Sequence, residues 1–114
     1  MYSITEQLII WLSAHDYAAS TYPPKDGDEF VTVERTGGGD QNKVDYPEIA
    51  LQTWAQTDAR AEEMALEIRD LLLLESKPYG VHSIRVDSGP YPFWDEDTRM
   101  PRYQTVYDAV SYLT

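Results

Sequence analysis

Hydrophobic and polar positions follow two periods along this chain, and each change of period marks an element. In SITEQLIIWLSAH, Ile4, Leu8, Trp11 and Leu12 recur at the spacing of one helix face. Ser3 followed three residues later by Glu6 has the form of a capping box, so a helix is predicted from there to near His15. In EFVTVER the period drops to two. Val31, Val33 and Arg35 point one way, and Phe30, Thr32 and Glu34 the other. EIALQTWA repeats this, with Ile49, Leu51, Thr53 and Ala55 opposite Ala50, Gln52 and Trp54. TDARAEEMALEIRDLLLLES returns to the helical period. Its stripe is Ala61, Met64, Ala65, Ile68, Leu71 and Leu72, with Arg60, Glu62, Glu63, Glu67 and Asp70 mostly opposite. Thr57 or Asp58 is placed to cap its start, and Pro78 and Gly80 end it. GVHSIRVDSGP predicts a third strand, with His82, Ile84 and Val86 on one face. RYQTVYDAVSYL predicts a fourth, in which Tyr103, Thr105, Tyr107, Ala109 and Ser111 alternate with Gln104, Val106, Asp108, Val110 and Tyr112. Neither of its faces is purely apolar, which suits a strand with one side against another subunit.

These segments predict one α+β domain over residues 1–114, in the order helix-strand-strand-helix-strand-strand. The expected architecture is a four-stranded mixed or antiparallel sheet packed by one long helix, with an N-terminal helix. Neither hairpin can bury its apolar face alone, so the helix between them must cover the sheet. If the second and third strands are neighbours, the crossover makes them parallel. With the fourth strand between them, the sheet is fully antiparallel. Pro23, Pro24 and Gly27 rule out regular structure in TYPPKDGDE. Two long connections are expected, 36–47 and 88–101, both beyond the usual hairpin length.

The chain has 114 residues, enough for one hydrophobic core, and no apolar run approaches the ~20 residues that span a bilayer. MYSITEQ has no basic region ahead of an apolar one, so no secretory signal is expected. Cysteine is absent, which removes disulfides and thiolate metal sites and fits a reducing compartment. Charge changes the picture more. Twenty acids against nine bases give a net charge of −11, and such a surface does not grip nucleic acid by neutralising phosphates. It can stand beside DNA and repel it; solubility alone explains it equally well.

Candidate chemistry is sparse. Gly37, Gly38 and Gly39 lack the G-x-x-x-x-G-K-[ST] spacing, are followed by the anion Asp40, and lead into a strand rather than a helix. They read as a flexible connection and not as a phosphate loop. His15 and His82 form no H-x-x-x-H pair, so zinc has no support, and no serine sits in a nucleophile elbow. DEDT, residues 95–98, matches calcium-loop spacing only at Asp95 and Asp97, and a solvated acidic turn is the simpler reading. The aromatics say more. Tyr91, Phe93 and Trp94 fall in a connection, where they either pack over the sheet edge or meet a partner.

In succession, FVTVERTGGG, PEIALQTWAQTDARAEEMALEIRDLL and GVHSIRVDSGPYPFWDEDTRMPRYQTVYDAV resemble the tail-terminator proteins of long-tailed bacteriophages and prophages, also called tail completion or minor tail proteins. The resemblance covers roughly residues 28 to 112 and lies in the order of the pieces, not in one motif. It implies a structural protein with no catalytic, cofactor-binding or metal residue. The expected assembly is a hexameric ring that caps the tail tube, stops its polymerisation and joins the tail to the head connector. The implied partners are further copies of the chain, the tube protein and the head-completion protein, without specific nucleic-acid binding and without a membrane. The implied location is the virion, at the head–tail junction, after assembly in the host cytoplasm. A ring needs two different complementary patches on each subunit. Tyr91, Phe93, Trp94, Arg102 and Tyr103 are the candidates for subunit or tube contact, with Gly37 to Gly39 as a loop that orders on assembly. Asp40, Asp95, Glu96 and Asp97 are candidate lumen acids. A head-closure or connector protein of the phage neck, and a non-phage interaction domain, remain the alternatives.

Overall fold

The computed structural model describes residues 3–24, 27–41, 44–93 and 100–112. Its elements are α1 (Ile4–Ala14), β1 (Ala19–Ser20), β2 (Phe30–Gln41), β3 (Val44–Trp54), α2 (Asp58–Asp70) continued by a π-helical turn (Leu71–Glu75), β4 (Val81–Pro92) and β5 (Arg102–Tyr112). Both helix starts are capped as the sequence suggests. The Ser3 hydroxyl accepts from the Glu6 amide at 3.3 Å, and the Thr57 hydroxyl from the Arg60 amide at 3.2 Å. The last turn of the second helix is wider than predicted: the Ser76 amide donates to the Leu71 carbonyl, five residues back.

The sheet has five strands, not four, in the order β1-β2-β3-β5-β4. The addition is β1, which pairs parallel to β2 through Ala19 opposite Val31 and Ser20 opposite Thr32. A strand of two residues has no period to read, which is why the expected four-stranded count fails. The other neighbours are all antiparallel, with β5 seated between β3 and β4. The sheet is therefore mixed, and α2 does not pack it alone. Ile4, Leu8, Trp11 and Leu12 of α1 share one core with Ala61, Met64, Ile68 and Leu72 from α2 and its last turn. Both helices lie on one face of the sheet, against Val31, Val33, Ile49, Leu51, Ile84, Tyr107 and Ala109.

A few polar contacts fix the helices to that face. The Thr53 hydroxyl donates to the Ala61 carbonyl at 2.8 Å, and the Trp11 indole to the Ser76 hydroxyl at 3.1 Å. The Tyr17 hydroxyl donates to Glu67 at 2.6 Å, tying the exit of α1 to α2. Arg60 of α2 bonds Glu29, Glu63 and Glu67, which holds the segment entering β2.

The expected long connection at 36–47 is largely strand. β2 runs to Gln41 and β3 starts at Val44, so the hairpin extends as a two-stranded arm. Gly37, Gly38 and Gly39 pair with Glu48, Pro47 and Tyr46. A bulge between Arg35 and Gly37 absorbs the change of register. The second expected connection also shrinks, since β4 continues through a cis Gly89–Pro90 bond to Pro92.

Candidate interaction surface

The strand period divides the chemistry between two sheet faces. The residues of β5 that alternate from Tyr103 to Ser111 turn toward the helices; Gln104, Val106, Asp108 and Val110 turn away. The second face carries no helix. Across it runs a row of polar side chains, two from β3 and one from each of the other long strands. The Trp54 indole donates to the Thr32 hydroxyl at 3.0 Å, and Thr32 donates to Gln52 Oε1 at 2.6 Å. Gln52 Nε2 donates to Gln104 Oε1 at 2.7 Å, and Gln104 Nε2 to the Tyr91 hydroxyl at 2.5 Å. Every donor points the same way along the row, the arrangement in which each bond polarises the next. Thr32, Gln52 and Trp54 are buried, so the row lies within the sheet face and is not a loose fringe.

At one end of this face the aromatics gather around a cation. The Arg102 guanidinium lies 4.6 Å from the Trp54 ring centre and 4.3 Å from that of Phe93. Arg102 Nε also donates to the Phe93 carbonyl at 2.6 Å, and the Phe93 amide donates back to the Arg102 carbonyl at 2.9 Å. Phe30 stacks on Trp54 at 5.3 Å, and Tyr91 meets Phe93 edge-on at 6.5 Å. A guanidinium held over two rings is a flat, amphipathic surface of the kind common at protein contacts. Phe93 remains 38% exposed there.

Of the five residues expected to meet a partner, Tyr91, Phe93 and Arg102 come together on this face. Tyr103 does not: it faces the helices, opposite Thr53, and packs against the core. Partial desolvation, together with Glu62 and Asp58 of α2, raises its phenol pKa. Trp94, Asp95, Glu96 and Asp97 lie outside the described residues. Asp40 is exposed on the arm, opposite Asp45. The two histidines have ordinary neighbours. His15 packs on Trp11 at 4.4 Å, and His82 lies 3.4 Å from the Tyr112 hydroxyl. Among the described residues no group of His, Asp and Glu is arranged to hold a metal ion, and no helix is long and apolar enough to cross a membrane.

Sequence reasoning missed the glutamine row and the salt bridge on the arm. Arg35 meets Asp45 through two bonds of 2.6 and 2.7 Å, and the Asp45 carboxylate is what chiefly raises the Arg35 pKa. The signal for the row was present as parity: Thr32, Gln52 and Gln104 each occupy the side of their strand opposite the apolar one. Pairing register was needed to bring them into line. No family model matches the chain, and no curated protein matches it.

Proposed function

We propose that this chain is a structural subunit of a long-tailed phage, a tail terminator. Copies form a ring that caps the tail tube, stops its growth and presents a surface to the head connector. The observation that carries this reading is the inequality of the two faces. One side of the subunit is the acidic exterior of α2, with Glu62, Glu63, Glu67 and Asp70 exposed. The other is a helix-free sheet face bearing Arg102, Phe93 and Tyr91. A closed ring is built from two unlike patches on every subunit, and a subunit with identical faces does not make one. The order of segments from FVTVERTGGG to the final strand supports the same reading. The ring and tube contacts are assigned to the sheet face around Arg102, and Asp40 to a position beside the passing DNA. In such a virion the protein works at the head–tail junction, with the tube and head-completion proteins as partners.

Light scattering of the purified chain, alone and mixed with its tube protein, tests the proposal. A ring mass, alone or only with the tube protein, supports it. A monomer that ignores the tube protein at high concentration contradicts it.

A further inference from the structure

The sheet has two outer edges, and they are treated differently. β4 is blunted. Three register shifts interrupt its pairing with β5, between Val81 and Ser83, Val86 and Ser88, and Ser88 and Tyr91. Pro90 and Pro92 remove amide donors from its second half. Bulges and prolines are the usual protection of an edge against strand addition. β2 has much less. β1 pairs with Val31 and Thr32 and takes the Val33 amide, and no strand pairs with the outer side of β2 from Glu34 to Gln41 among the described residues. The Val31 amide turns outward to the Ala18 carbonyl at 2.8 Å. The pairing of Ser20 with Thr32 gives the Val33 amide to the Ser20 carbonyl; by the period of two the Arg35 amide turns the same way, with no strand among the described residues to receive it. Beyond them Gly37 and Gly39 present no side chain, and a Cβ at either would meet nothing within 4 Å. A neighbouring strand can approach this edge closely.

The charges along the edge select the occupant. Glu34 lies on the helix-free face, and Asp40 shares the opposite side with Asp45. The cation between them, Arg35, is already bonded to Asp45. Over residues 33–48 the sequence holds four acids against two bases. A second copy would bring the same excess of acids to this edge, which disfavours it as the occupant. We propose that the open edge of β2, Glu34 to Gln41, receives an extended segment of a partner protein that carries lysine or arginine and adds to the sheet as a sixth strand. Backbone pairing supplies the attachment, and the acids on either side select a basic segment. The inference does not depend on the phage reading, since it concerns one edge and the chemistry that fits it.

The test is titration of the full chain with a short capped peptide of lysine, valine and threonine, followed by amide exchange in NMR. Exchange should slow at Arg35 while the amides of β4 are unaffected. The same peptide methylated on alternate backbone nitrogens should not bind, because it cannot complete the ladder. Replacing its lysines by glutamate, or making E34K and D40K together in the protein, should weaken binding by about tenfold, the effect of two exposed ion pairs. Binding of the methylated peptide, equal binding of the glutamate peptide, or unchanged exchange at Arg35 at saturation would overturn the proposal. Slow exchange at the Arg35 amide without peptide, lost on dilution, would make the occupant a second copy and overturn it as well. A ring mass with no peptide binding would sink this inference alone; peptide binding by a monomer indifferent to the tube protein would sink the terminator reading alone.

Discussion

Arg35 reaches along its own hairpin arm to Asp45 and holds it by two parallel bonds of 2.6 and 2.7 Å. The two side chains are unequal: that of Asp45 is 8% exposed and that of Arg35 is 36% exposed. Removal of either should therefore have unequal effects. Arg35→Ala leaves a buried carboxylate without its partner and should cost about 2–3 kcal/mol in urea unfolding. Asp45→Ala leaves a guanidinium that water can reach and should cost about 1 kcal/mol. Equal costs would mean that the pair does not organise the arm.

Gly38 has a φ of +93°, and a Cβ there would collide with the Tyr46 carbonyl across the hairpin. Gly38→Ala should destabilise the arm by about 1–3 kcal/mol, from the strained backbone together with the clash. Gly37→Ala and Gly39→Ala meet open space and should stay within about 0.5 kcal/mol of the parent. Thermal unfolding of the three variants separates a paired arm from an unstructured loop, in which all three would behave alike.

The row across the helix-free face predicts a gradient. Gln52 links Thr32 to Gln104 and is 5% exposed, so Gln52→Leu leaves two neighbours short of a bond. A loss of about 2–3 kcal/mol is expected. Tyr91 ends the row and is half-buried, so Tyr91→Phe should cost under about 1 kcal/mol. A double-mutant cycle on Gln52 and Gln104 should show strong coupling.

Much of this was legible in the sequence, and the failures have physical causes. Periods of 3.6 and two located α1, α2 and the four long strands, because each buries a stripe that must recur. The two-residue β1 buries nothing periodic and left no trace. Glycines at 37–39 suggested a loop, yet a strand tolerates them where its partner supplies backbone pairing. Tyr103 and Arg102 are adjacent in sequence and were grouped together; alternation sends them to opposite faces. The Arg102 cluster draws Trp54 and Phe93 from distant segments, and only the register of β3 with β5 sets Trp54 beside Arg102.

Burial raises the Tyr107 pKa above its ordinary value of 10. The folded state thus holds this proton more tightly than the unfolded chain does. That stability is whole below pH 10 and declines as pH rises beyond it, by up to about 1.4 kcal/mol per pH unit. Tyr17 adds to the decline in the same direction, through burial and its bond to Glu67. Tyr107→Phe should match or exceed the parent in stability at neutral pH and lose less of it above pH 10. A steeper alkaline loss in the variant would contradict the assignment.

As a proposed tail terminator, the chain should end a polymer of tube protein. Electron microscopy of tubes grown from purified tube protein, with and without this chain, tests it most directly. Growth should stop when the chain is added, with extra ring density at one end of each tube. Tubes that lengthen equally in both samples, with bare ends, would contradict it.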